Sequence, residues 1–472
     1  MVTLDGVNDV TIKEAYKHLR GRKPQEAVKA LLAIPEEKQT YFTHSLVGQI
    51  YFRGRSFKKA RPHLEKSVQK LDSYSGITDS ERARVHSMLG YTYQKLGMLE
   101  SSLTHHQKTV DYISGDVVAW CNLGNIYIEL KRYEDAGKAF EKGEKINAKY
   151  DTVIVGLGKV SYLRKDYSRA SKLFNRLITK SPRNYQGYLG LGKAYLKMSK
   201  PDEGNELIAK SYFLRNNNIK ALDYLDKIEN LMANKDRYQF YIACLLSEKL
   251  YTRAEKEIKR GVQKFPKDPQ FLVNMAQLHY SQKSYQKVIS VATTGIKSFP
   301  DSHPLHVMAA NAYSKLSQKN KAIRHYDTAL ELNPDDLHAR NRLAQLYREK
   351  KKKDDEFFHQ GVVYFYTGDF RQAKEVLGWV KKDYSKPAQL KYYQGMVYWA
   401  LKENEKGVEY LKGSIRLKGD YHLPYLALSE AYQARDQKDK AQNILKTYMD
   451  KYPESRHIKQ FEEKIIELKK RK

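Results

Sequence analysis

Residues 120–127 read Trp120-Cys121-Asn122-Leu123-Gly124-Asn125-Ile126-Tyr127, and Ala136 and Phe140 follow. On a helix, Trp120, Leu123, Gly124 and Tyr127 fall at i, i+3, i+4 and i+7, which is one apolar stripe. Ala136, Phe140 and Gly143 make a second stripe, and Lys131-Arg132-Tyr133 turns between the two. The stretch therefore predicts two helices joined by a short turn, with a small residue where their backbones meet.

The same unit recurs outward from here. Leu89, Leu123, Leu157 and Leu191 are spaced by 34 residues, and each is followed by a glycine (Gly90, Gly124, Gly158, Gly192). Tyr93, Tyr127 and Tyr195 share the register, with Ser161 the exception. Ala254, Val288 and Ala322 keep the spacing, as do Pro266, Pro300 and Pro334, and near the end Tyr364, Tyr398 and Tyr432. Ala373, Gly407 and Ala441 open the second helices of those last repeats. A 34-residue period with W-x2-L-G-x2-Y and A-x3-F closely resembles the tetratricopeptide repeat family. The resemblance covers most of the 472 residues. It implies an all-α fold: a right-handed α-α superhelix of about 12 helix pairs plus single odd or capping helices. One helix pair cannot bury both its faces, so neighbouring pairs stack.

The chain divides at slips of phase. A degenerate first pair spans 8–40, a clearer repeat 41–74, and Ser75 to Arg82 reads as a surface loop. Four repeats then run from 83 to 218. Residues 219–234 and 337–353 each hold one helix, and a last helix closes the chain over 456–472. Solenoid ends need a helix with a polar outer face, so each odd helix is expected as a cap. That gives three blocks, 1–234, 235–353 and 354–472. Degenerate repeats within one continuous superhelix are the alternative.

Composition narrows the function. No run of 18 apolar residues exists, so no membrane span is expected. The opening Met1-Val2-Thr3-Leu4-Asp5-Gly6 lacks the basic and apolar regions of a secretory signal. The two cysteines, Cys121 and Cys244, are far apart, which argues against a disulfide framework or zinc site and for a cytoplasmic setting. Tyrosine outnumbers tryptophan 37 to 3, which fits repeat packing positions rather than stacking on bases.

Catalytic motifs are lacking. Gly187, Gly192 and Lys193 satisfy G-x-x-x-x-G-K, but Ala194 stands where a P-loop needs a hydroxyl for magnesium, and the segment lies inside a helix. His105-His106 and the other histidines lack metal-ligand spacing. No enzyme activity, metal or cofactor is expected. The net charge of +30 is the compositional anomaly. It attracts acidic protein surfaces, nucleic acid or anionic lipid, or simply solvates a long convex face.

In the family that the chain resembles, the first helix of each pair lines a concave groove. The residue after the small glycine is then a groove position: Asn125, Lys159 and Lys193. In the last block the equivalent positions are Phe358, Val362 and Phe365, then Tyr392, Met396 and Trp399, an aromatic stripe suited to anchoring a partner. The family's carboxylate clamp is matched only at Asn311 and Arg342. Gln277 and His338 are substitutes, and Val273 stands where a lysine belongs.

The expected function is a non-enzymatic scaffold or adaptor that holds partner proteins or peptides, acidic ones above all, in assembly or signalling. A nucleic-acid-associated repeat protein is the rival, argued from the charge, Lys350–Lys353 and the terminal Lys469–Lys472. The effector-binding part of a larger regulator is a third reading, and a second copy of the chain is an alternative occupant of the groove.

Overall fold

A computed structural model describes residues 6–470 except 72, 75 and 382. Ser75 of the expected loop, and Arg471 and Lys472 of the terminal basic run, lie outside the described residues. Among the described residues all regular structure is helical: 27 α-helices and two short 3-10 turns, with no strand. The chain divides into two compact units, Met1–Lys249 and Leu250–Lys472. Each is an α-α solenoid in which consecutive helices pack together.

The helix starts are written locally. Asp116, Asn184 and Asp336 each accept a hydrogen bond from a backbone N–H in the first turn of the helix they precede. Thr78 and Glu81 form a reciprocal capping box that starts the helix Asp79–Lys95. That helix begins inside the segment expected to be loop, because the box gives side-chain acceptors to the backbone N–H groups of both Thr78 and Glu81.

The turns carry the period in their backbone. A left-handed residue recurs at Gly97, Lys131, Lys165 and Ser199, then at Lys249, Lys283, Ser317 and Lys351, then at Gly368, Lys402 and Asp436. Within each series the spacing is 34 residues. Asn216 and Gly368 break it, each standing 17 residues, half a period, after Ser199 and Lys351. The helices Pro201–Phe213 and Lys353–Tyr366 are thus flanked by such turns at both ends. Each serves as second helix of one pair and first helix of the next. Leu337–Glu349, expected to stand alone, is therefore an ordinary first helix packed on Lys353–Tyr366. The segment expected as the odd helix 219–234 holds Asn218–Leu225 and the short 3-10 turn Leu231–Ala233.

The first helices form the inner layer. In the first unit Val117–Glu129 touches Asp151–Leu163, which touches Tyr185–Lys197. In the second, Gln270–Ser281 touches His303–Lys315, and Pro387–Ala400 touches both Lys353–Tyr366 and Leu423–Gln433. Second helices of successive repeats approach one another less closely, which places them on the outer, longer arc. The core between layers is tight. Phe140 is fully buried with its ring between Gly124 and Gly156, where added Cβ atoms would come within 2.7 and 2.2 Å of it. Burying such a side chain stabilises by about 1.5–3 kcal/mol.

Candidate partner-binding surfaces

In the first unit, Asn125, Lys159 and Lys193 sit on three successive inner helices that touch one another. Lys159 and Lys193 are exposed, and Asn125 is half-buried. The inner wall around Lys159 strips solvent from its ammonium, and Lys193 adds repulsion, so its pKa lies below the usual lysine value. Neither lysine has an ion-pair partner among the described residues. A pair of neighbouring cations with no carboxylate between them is an electrostatic vacancy for an anion.

The same register holds a residue that the sequence reading passed over. Tyr91 follows Gly90 as Lys159 follows Gly158, and it is exposed on the inner helix Asp79–Lys95. Its ring meets Phe52 edge-on at 5.4 Å, and the Lys95 ammonium lies 4.8 Å from its centroid. Leu163 and Leu196, on the helices of Lys159 and Lys193, are also exposed. The inner face is thus aromatic toward Phe52 and Tyr91 and basic with apolar neighbours toward Lys193. The counting rule that found Asn125 was sufficient to find Tyr91.

In the second unit the aromatic stripe is mostly core. Phe358, Val362 and Tyr392 are buried, contrary to their expected exposure. Lys353–Tyr366 packs against Leu337–Glu349, Phe370–Gly378 and Pro387–Ala400, so its would-be open face is covered. Phe358 meets Tyr384 at 5.3 Å and Tyr393 at 5.9 Å, and Tyr392 meets Tyr421 at 5.6 Å. Phe365, Met396 and Trp399 are half-buried against the same cluster. The Arg435 guanidinium lies 5.4 Å from the Trp399 ring. Trp379 is more exposed, at 52%, although nothing in the pattern of its helix marked it.

The partial clamp is engaged internally. Asn311 Oδ1 accepts from Tyr326, and Arg342 donates to Gln345 Oε1 and Ser314 Oγ. Cys121 and Cys244 are buried and unpaired, and burial pushes both thiols up to about 12. No helix among the described residues is long and apolar enough to cross a membrane.

Family models described as tetratricopeptide repeat match residues 117–150, 307–357, 358–422 and 425–455. The chain carries tetratricopeptide repeats over these segments.

Relatives of this repeat protein include anaphase-promoting complex subunit 3 of Schizosaccharomyces pombe, 24% identical over 48% of this chain and 33% of that one. BBSome complex member BBS4 of Bos taurus is 23% identical over 56% of this chain and 53% of that one. The chain thus spans from a third to about half the length of these two relatives. Among solved structures, the anaphase-promoting complex hetero-tetramer Cut9-Hcn1 aligns with 97% of this chain and 96% of its own, at 14% identity and a TM-score of 0.28. A tetratricopeptide repeat protein from Parabacteroides merdae covers 57% of this chain, with 98% of its own aligned, at 17% identity and a TM-score of 0.38.

Proposed function

We propose that this protein is a non-catalytic scaffold whose inner face holds acidic segments of partner proteins during complex assembly or signalling, in a cytoplasmic setting. The observation that carries this reading is the unpaired Lys159–Lys193 couple on the inner layer of the first unit, beside exposed apolar side chains. An acidic side chain there relieves the repulsion between the lysines, and Leu163, Leu196 and Tyr91 supply apolar contact along the segment. Asn125 adds a neutral donor and acceptor in the same register. Phe365, Met396 and Trp399 provide a second, half-buried contact region, with Phe358, Val362 and Tyr392 holding it from beneath. That two relatives are named as members of complexes, the anaphase-promoting complex and the BBSome, agrees with an assembly role.

The test is affinity capture of partners by the full chain in the presence of nuclease, compared with Lys159→Glu/Lys193→Glu. Loss of protein partners from the variant supports the reading. Partners unchanged by the double reversal overturn it. The charge of +30 favours one rival, nucleic-acid association. That rival is supported if captured material vanishes with nuclease and binding falls steeply with salt.

A further inference from the structure

The second unit holds a cleft of about 860 Å³ that lies apart from the Lys159–Lys193 surface and shares Phe358 with the aromatic cluster. Two side chains on its lining are set deep and are only partly satisfied or not satisfied at all. Arg340 is only 4% exposed. Its Nε and Nη2 donate to the Pro334 carbonyl, and Nη2 also donates to Tyr393 Oη. Nη1 has no acceptor, and no carboxylate forms an ion pair with the guanidinium among the described residues. His359 is 1% exposed, and neither ring nitrogen has a hydrogen-bond partner. A buried cation without a counter-charge is expensive, and so is a buried imidazole with both nitrogens unsatisfied.

The repeat register shows what is unusual here. His86 and His105, nineteen residues apart, face each other across one helix pair with Nδ1 atoms 2.8 Å apart, and His306 and His325 repeat this at 3.2 Å. Arg340 and His359 stand at the same spacing in the helices Leu337–Glu349 and Lys353–Tyr366. A permanent cation thus replaces the first imidazole in the one of these pairs that lines the cleft. The acidic groups of the lining do not neutralise it. Asp327 pairs with Lys386 at 2.8 Å, and Glu331, Asp420 and Glu454 are exposed at the mouth.

We infer that this cleft binds an oxyanion, carboxylate or phosphate, carried by a ligand of peptide size, with the charge on Arg340 and His359 and the remainder along the cleft wall. Arg340 Nη1 supplies a charge-assisted hydrogen bond. His359 is held neutral by burial, with Arg340 adding repulsion, so it donates one further hydrogen bond from either ring nitrogen. Exposed Lys418 and Lys451 at the mouth draw the anion in. A bare oxyanion fills a small part of this volume, and Tyr421 and Tyr452 give flat surfaces for the rest of a peptide.

The probes are inorganic phosphate and a hexaglutamate peptide with a free carboxyl terminus, titrated into the full chain. The histidine Cε1–H resonance of His359 is followed by NMR and assigned by its loss in His359→Gln. We expect a saturable shift with both probes, at least tenfold weaker in Arg340→Gln and also weakened in Lys418→Glu/Lys451→Glu. The second variant keeps the test informative if Arg340→Gln fails to fold. Lys159→Glu/Lys193→Glu should leave the shift intact, which separates this site from the inner-face reading. A response to phosphate alone overturns the peptide-sized ligand. No response to either probe, or a wild-type response in both Arg340→Gln and the mouth variant, overturns the site.

Discussion

Gly156→Ala should destabilise the first unit although alanine is the better helix former. In an open helix the exchange gains roughly 0.5–1 kcal/mol. Here the added Cβ falls 2.2 Å from Phe140 Cε1 and 2.4 Å from Cδ1 and Cζ. The ring cannot retreat, because its opposite edge already lies against the backbone at Gly124. Overpacking of this kind typically costs about 1–3 kcal/mol. The net expectation is a loss of roughly 0.5–2 kcal/mol. The assay is hydrogen exchange of the amides in Asp151–Leu163, together with thermal unfolding by circular dichroism. A second arm places the exchange in Phe140→Leu, whose shorter side chain leaves room for the methyl. There Gly156→Ala should be neutral or stabilising, with a coupling of about 1–3 kcal/mol in the double-mutant cycle. Stabilisation by Gly156→Ala in the wild-type background would refute the sandwich.

The remaining expectations concern turns, protons and thiols. Lys165 is left-handed at φ 65°, and Gly97 takes the equivalent turn position at φ 77°. Lys165→Gly should therefore raise the melting temperature and Gly97→Ala lower it, each by up to about 1 kcal/mol at the turn. Burial, then His105, pushes the His106 pKa down to about 4, so between pH 4 and 6.5 the unfolded chain binds the extra proton. Stability should fall as pH drops through that window, by roughly 3 kcal/mol for this group once complete. His106→Leu should flatten the pH dependence of thermal unfolding there. The thiols of Cys121 and Cys244 should resist alkylation at pH 8 in the native protein and react in denaturant, as read by mass spectrometry.

How much of this was legible in the sequence follows from what each feature depends on. The helix pairs were, because Gly124 and Phe140 obey a local steric rule that repeats with the period. Asn125, Lys159 and Lys193 were legible for the same reason, and Tyr91 was available by the same counting. The burial of Phe358, Val362 and Tyr392 was not. Whether a helix face is open depends on where its neighbours sit, and Lys353–Tyr366 packs on Leu337–Glu349 as the second helix of one pair and on Phe370–Gly378 as the first helix of the next. That double role comes from the half-period step between Lys351 and Gly368, a backbone event that a side-chain pattern does not carry. Arg340 was invisible as well. On its own helix it reads as one more exposed basic residue, and only the fold shows it buried without a carboxylate.

The most direct test of the scaffold reading is a photo-crosslinking amino acid placed at Lys159 on the inner helix and, in a second protein, at exposed Lys172 on an outer helix. Protein adducts that resist nuclease are expected from position 159, and few from position 172. Nucleic-acid adducts alone, or equal protein adducts from both positions, would contradict that reading.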